Sequence, residues 1–149
     1  GGALASALAQ GFAMAAKIGI IDCAPRLFAV QATGCAPLDR AWQRMDKIDT
    51  VEAAHHRSRF MWPWEVVPAS VAHGILDDET YDWFEIVKYM RLSGGDSLVV
   101  NEDALIRAHE MACSQTSIRV SATGSAGLAG LLAAPFKGQA AVIFSGVER

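Results

Sequence analysis

Residues 25–38 read Pro25-Arg26-Leu27-Phe28-Ala29-Val30-Gln31-Ala32-Thr33-Gly34-Cys35-Ala36-Pro37-Leu38, and the fold follows from how this stretch is read. Leu27 to Val30 is a short, continuous apolar run, the mark of a strand buried on both faces. Thr33-Gly34 supplies a turn. Pro37 falls in the first turn of a helix expected to reach Met45, where its fixed φ and missing N–H cost little. A buried strand feeding directly into a helix is one step of an alternating β/α chain.

The same alternation extends on both sides. Ala3 to Ile18 is rich in Ala, Leu and Met and predicts a helix, opened by Gly1-Gly2 and capped by Gly19. From Ile48 to Gly74 the periodicity is weak, and Pro63 and Pro68 predict irregular or short pieces. Asp77 and Asp78 are expected to cap a helix from Glu79 to about Arg91. After the Gly94-Gly95 turn, Ser97–Val100 predicts a strand and Asn101 the N-cap of a helix to Met111 or a little beyond. Ile118–Val120 and Ala140–Phe144 predict further strands. Between them, Thr123-Gly124-Ser125 leads into an Ala/Leu/Gly helix closed near Pro135. With no internal repeat or linker-like shift, the expectation is a single α/β domain over residues 1–149, a mainly parallel sheet with helices on its faces.

Composition agrees. The chain has 149 residues, 52% hydrophobic and 19% charged, with a formal net charge of -3. That length can bury a core without staples, and the apolar content excludes a disordered or collagen-like chain. The acidic balance gives no footprint for nucleic acid or an anionic membrane surface. Three cysteines, Cys23, Cys35 and Cys113, are an odd number at wide spacing, which argues against a disulfide framework and for a reducing cytoplasm. The longest apolar stretch, Ala3 to Ala16, is broken by Gln10 and falls short of the roughly 20 residues a membrane span needs. No positively charged segment precedes it, so no signal peptide is expected.

Two turns are candidate sites. Gly1-Gly2-Ala3-Leu4 stands at a helix start, where unpaired N–H groups and the positive end of the dipole suit a phosphate; the glycine pair could equally carry no function. Thr123-Gly124-Ser125-Ala126-Gly127 sets hydroxyls at a strand-to-helix turn, the edge where open α/β sheets bind ligands. It could equally be an ordinary Ser/Thr N-cap with glycines for tight packing. Other groups carry little. His55 and His56 diverge and match no metal-ligand spacing. His73 reads as a partly buried structural histidine. Asp77, Asp78 and Glu79 read as a helix-start cluster, and Phe60-Met61-Trp62-Pro63-Trp64 as core or interface. No nucleophile elbow is present, and Cys35 lacks a catalytic signature. No metal site is expected.

Taken in order, these pieces resemble the fold-type II pyridoxal-phosphate enzymes, and threonine synthases in particular. The glycine turn into an Ala-rich helix is similar to that family's phosphate loop. Val30-Gln31-Ala32-Thr33-Gly34-Cys35-Ala36-Pro37 is similar to its V-E/Q-x-x-G-x-x-P segment. Val67-Pro68-Ala69-Ser70-Val71-Ala72-His73-Gly74-Ile75, the helix after Asn101, the run Ser121 to Gly130, and Val142-Ile143-Phe144-Ser145-Gly146 follow in the family's order.

The resemblance implies pyridoxal 5'-phosphate as cofactor, with Gly1, Gly2, Ala3 and Leu4 as backbone donors to its phosphate. Ser125, or failing that Thr123, would stand at the pyridine nitrogen. It implies β- or γ-elimination or replacement on an amino-acid substrate, in the threonine synthase case O-phosphohomoserine to threonine. Lys17, Lys47, Lys88 and Lys137 match no lysine motif of the family. The resemblance therefore implies the carboxy-terminal portion of the large domain, with the Schiff-base lysine and small domain outside this chain. Two further readings stand beside it: a non-catalytic folded fragment, and an unrelated phosphate- or nucleotide-binding α/β domain lacking a full dinucleotide or P-loop motif. An exposed apolar edge and face lead us to expect a homo-oligomer.

Overall fold

A computed structural model describes residues 2–45, 50–134 and 136–147. In chain order the elements are α1 (Ala3–Lys17), β1 (Phe28–Ala32), α2 (Pro37–Met45), α3 (Thr50–His55), α4 (Trp83–Ser93), β2 (Asp96–Val100), α5 (Glu102–Gln115) and α6 (Ala126–Ala133). Single 3₁₀ turns lie at Arg57–Arg59 and His73–Ile75. β1 and β2 form a two-stranded sheet. It is parallel: the Asp96 N–H donates to the Leu27 carbonyl at the start of both strands, and the Thr33 N–H to the Val100 carbonyl at their end. The architecture is thus α/β, a small parallel sheet with helices, as expected.

The chain divides into two compact units. The first comprises Gly1–Ala29, Pro37–Pro63 and Glu79–Ser97. Its core joins Leu38, Ala41 and Met45 of α2 to Trp83, Ile86, Val87 and Met90 of α4, with Phe60 and Met61 from the connection. Spacings of three and four residues put each set on one helix face. Phe60 stacks on Trp83 with ring centroids 5.6 Å apart. Of the aromatic run, Phe60 and Met61 are core. Trp62 lies beneath the guanidinium groups of Arg40 and Arg44, 3.6 and 4.7 Å from its ring centroid.

The second unit comprises Val30–Ala36, Trp64–Asp78 and Leu98–Arg149. Its core is made of small side chains: Ala32, Ala72, Val100, Leu105, Ala108, Ala126 and Ala129. Alanines on α5 and α6 let the two helices approach closely. The Asn101 side chain accepts from the Ala104 N–H at 2.9 Å, the expected N-cap, and α5 continues four residues past Met111.

Three expectations need correction. The helix expected from Glu79 begins at Trp83, with Asp82 as an N-cap that makes no side-chain bond. Asp77 and Asp78 do not cap it, because they lie five and four residues before Asp82; their carbonyls instead accept from the Cys35 thiol and from the Trp64 N–H, while the Thr80 N–H donates to Met61 Sδ. Neither Ile118–Val120 nor Ala140–Phe144 is a strand; Val120 makes an isolated antiparallel bridge with Val147, three residues past the second region. Residues 141–147 nevertheless keep a period of two, half-buried Val142, Phe144 and Gly146 alternating with exposed neighbours. Among the described residues they have no ladder partner, and within the stretch it is Ser145 and Gly146 that bond to the Gly124 turn. Finally, α1 ends at Lys17 with Ile18 as its C-cap and Gly19 one place beyond at φ +76°. Gly1, Lys47 and Pro135 lie outside the described residues.

Candidate functional site

The first candidate turn belongs to the first unit. Gly2 is the N-cap of α1 at φ +103°, a left-handed conformation that favours glycine. A Cβ there would also lie 2.9 Å from Ile86 Cδ1 and 3.0 Å from Thr80 Cγ2. The glycine is thus required by packing against α4 as well as by the turn. The Gly2 carbonyl accepts the first helical bond, from the Ser6 N–H at 2.9 Å. Among the described residues no side chain caps this end, and the first turn of α1 holds no acidic residue. Ala3 and Leu4 are exposed. Their N–H groups form the positive end of the dipole, a favourable setting for a phosphate, although the Asp82 side chain lies close by, its Cβ 3.4 Å from where a Cβ on Gly2 would stand.

The second turn belongs to the second unit and is held by backbone. The Ser121 hydroxyl accepts from the Gly124 N–H at 3.1 Å, and the Ser121 carbonyl accepts from the Ser125 N–H at 2.9 Å. Residues 145–146 clamp it from the other side. The Ser121 N–H donates to the Gly146 carbonyl at 3.1 Å, and the Ser145 N–H to the Gly124 carbonyl at 3.4 Å. The approach is so close that a Cβ on Gly124 would lie 2.3 Å from the Gly146 oxygen.

This clamp decides what the hydroxyls do. Thr123 Oγ1 accepts from the Gly74 N–H at 3.0 Å and ties the turn to the His73–Ile75 segment. Ser125 is fully buried, and its hydroxyl donates to the Ala122 carbonyl at 3.3 Å. It makes no cap bond to α6, so the ordinary N-cap reading of this turn does not hold. Its oxygen keeps lone pairs for an acceptor role. No ionisable residue occurs from Val120 to Ala134, so Ser125 is a neutral group in neutral surroundings.

The remaining sequence candidates do not assemble. His55, His56 and His73 are exposed, the last against expectation; the 3₁₀ turn faces its imidazole to solvent. Among the described residues no group of three His, Cys, Asp or Glu could hold a metal ion. None of the three cysteines forms a disulfide among the described residues; Cys35 is buried and the other two are exposed. Lys88 pairs with Glu85 on α4 at 3.8 Å. Lys17 ends α1, roughly 20 Å along the axis from Gly2 at 1.5 Å per residue. Lys137 is exposed beyond α6. Sequence reasoning missed Ser121 and Gly146 as the clamp of the second turn. The Ser121-x-x-Gly124 spacing, a side chain accepting from an N–H three residues on, is the signal that could have found it.

No family model matches the chain, and no curated protein sequence matches it. Solved structures do. A T.th. threonine deaminase shares the fold with a TM-score of 0.57 at 21% identity, covering 85% of this chain and 39% of its own. Maize serine racemase gives 0.56 at 18% identity, covering 84% of this chain and 33% of its own. The chain therefore shares the fold of part of each of these two structures. The chain spans between a third and two-fifths of the length of these structures. Among the described residues, no helix is long and apolar enough to cross a membrane.

Proposed function

We propose that this chain is the phosphate-holding portion of a pyridoxal-phosphate-dependent enzyme acting on an amino acid by elimination, replacement or a related step at its α-carbon. The observation that carries it is the uncapped, acid-free start of α1 on a left-handed glycine, in a fold shared with a threonine deaminase and a serine racemase. Gly1, Gly2, Ala3 and Leu4 would hold the cofactor's phosphate through backbone N–H groups, and Ser125 would offer a neutral hydroxyl to its ring, with Thr123 as the alternative. When bound, the cofactor supplies the electron sink for bonds broken at the substrate's α-carbon, and the protein orients those bonds. A neutral hydroxyl there would leave the ring less electron-withdrawing than a carboxylate partner would, which suits elimination and replacement. The threonine synthase reading, O-phosphohomoserine to threonine, is the finer form of this proposal; its place is a cytoplasmic amino-acid pathway.

The exposed start of α1 fits a phosphate, whereas Ser125 is fully buried with its hydroxyl on the Ala122 carbonyl and would have to turn to meet a ring. Neither described turn carries a lysine, so holding the cofactor here rests on phosphate and ring contacts. Equilibrium dialysis tests the reading. Pyridoxal phosphate should bind at least about tenfold tighter than pyridoxal, and Ala3→Asp, which sets a carboxylate in the exposed first turn, should remove that preference. Borohydride reduction followed by peptide mapping should show no stoichiometric adduct at any one lysine. Equal binding of the two compounds would overturn the proposal. Turnover of O-phosphohomoserine, set against that of threonine or serine, by an enzyme containing this chain decides the finer form.

A further inference from the structure

Helix α5 brings a thiol and an imidazole together outside both candidate turns. His109 and Cys113 stand four residues apart, one turn along the same helix face. Cys113 Sγ lies 3.8 Å from His109 Nδ1 and 3.7 Å from the Val120 carbonyl, to which the thiol donates. Cys113 is exposed and His109 half-buried. Leu105, Ala108 and Ala112 carry the core side of the helix, so each member of the pair follows a buried alanine and sits at the rim of the outer face. Both donors come from one helix, and the chelate they form is complete within residues 109–113.

The separation of the two atoms is close to what a soft metal ion asks of its ligands. Zinc stands about 2.3 Å from a thiolate sulfur and about 2.0–2.1 Å from an imidazole nitrogen, and a tetrahedral angle between those bonds sets sulfur and nitrogen about 3.5 Å apart. The observed 3.8 Å exceeds this by about 0.3 Å, which a small turn of an exposed side chain takes up. The helix already fixes both Cα positions, so little ordering is left for the ion to impose. Sulfur and imidazole select a thiophilic ion over magnesium or calcium, which take oxygen. Two protein donors leave the remaining positions to water, unlike a closed structural zinc centre with its four side chains.

We propose that His109 and Cys113 form a two-point chelate for a thiophilic divalent cation of the zinc and cadmium kind. Binding exchanges the S–H bond for a sulfur–metal bond. The proton, which the thiol now directs to the Val120 carbonyl, goes to solvent, and no electron is transferred. Half the binding free energy of a four-ligand zinc site corresponds to a Kd between roughly 1 and 200 μM. Cadmium chloride is the probe, because the cadmium–thiolate bond absorbs in the ultraviolet. Titrated into the chain in a buffer that does not bind the ion, it should raise a charge-transfer band that saturates in that range at one ion per chain. Cys113→Ser should abolish the band, and His109→Gln should weaken binding at least about tenfold with circular dichroism unchanged. Cys23→Ser should alter neither. Alkylation by iodoacetamide with peptide mapping reads the site independently of the band. Saturating cadmium should slow modification of Cys113 at least about tenfold in the unaltered chain but not in His109→Gln, with the rate at Cys23 the same throughout. No saturation below about 1 mM, a band that survives Cys113→Ser, or equal binding by His109→Gln would each overturn the proposal.

Discussion

Replacing Gly124 by alanine isolates the clamp that shapes the second candidate turn. The new Cβ would lie 2.3 Å from the Gly146 oxygen, 2.6 Å from its nitrogen and 2.7 Å from Val120 Cγ2. Two of these are backbone atoms, so no rotamer change relieves the overlap. The segments must separate, straining the bonds between Ser121 and Gly146 and between Ser145 and Gly124. Overpacking costs about 1–3 kcal/mol, and each weakened hydrogen bond up to about 1 kcal/mol. Against this, alanine restricts the unfolded chain and returns about 0.4–1 kcal/mol. The net expectation is a loss of roughly 2–3 kcal/mol. In urea, with a slope of about 2 kcal/mol/M, the midpoint should fall by roughly 1 M at unchanged slope. Hydrogen exchange should show lost protection at the Ser121 and Ser145 amides. A midpoint within about 0.2 M of the unaltered chain, or undisturbed Ser121 and Ser145 amides, would refute the clamp.

Gly130→Ala and Gly11→Ala make the same change on two helices with opposite expected signs. Helix propensity favours alanine by about 1 kcal/mol at both, but at Gly130 the Cβ would lie 2.4 Å from Val30 Cγ2, a stiff β-branched side chain, whereas at Gly11 it meets nothing. Urea midpoints at a dilution where the chain is monomeric should rise for Gly11→Ala and fall for Gly130→Ala. Asn101→Ala removes the α5 cap and should cost about 1 kcal/mol in the same assay. Among the described residues the buried Tyr89 hydroxyl has no hydrogen-bond partner, and desolvation raises its pKa above the ordinary value near 10. The unfolded chain therefore releases this proton first, so the contribution of Tyr89 to stability is flat below about pH 10 and falls above it. Tyr89→Phe should remove that alkaline decline without lowering stability at neutral pH.

Elements whose signal is local were legible. Pro37 at the first position of α2, Asn101 with its reach to the Ala104 N–H, and the apolar cores of β1 and β2 each carry their instruction within a few residues, and each lies where the sequence placed it. The failures share a different cause. Asp77-Asp78-Glu79 has the composition of a helix start, yet its carbonyls are claimed by Cys35 and Trp64, residues 42 and 14 positions away. Residues 140–144 have a strand's composition and a strand's alternation. What makes a strand is a partner edge, and among the described residues the chain meets the tight turn at Gly124 only past this stretch, through Ser145 and Gly146.

The site divides along the same line. A phosphate cradle of the kind proposed is made of backbone N–H groups at one helix end, and Gly2 with the acid-free run after it announces that end in four letters. The ring-facing hydroxyl is harder, because Thr123 and Ser125 are equivalent to any local reading. The structure separates them by their partners. Thr123 spends its oxygen on the Gly74 N–H, 49 residues away, while Ser125 turns inward to Ala122. If Thr123 is structural, Thr123→Ser should keep the Gly74 bond and leave cofactor binding intact. If Ser125 is the group that meets the ring, Ser125→Ala should weaken pyridoxal phosphate and pyridoxal in the same proportion, since both carry the ring. Ala3→Asp should weaken only the phosphorylated compound. The reverse pattern, a loss with Thr123→Ser and none with Ser125→Ala, would exchange the two roles and place the ring against the Gly74 segment instead.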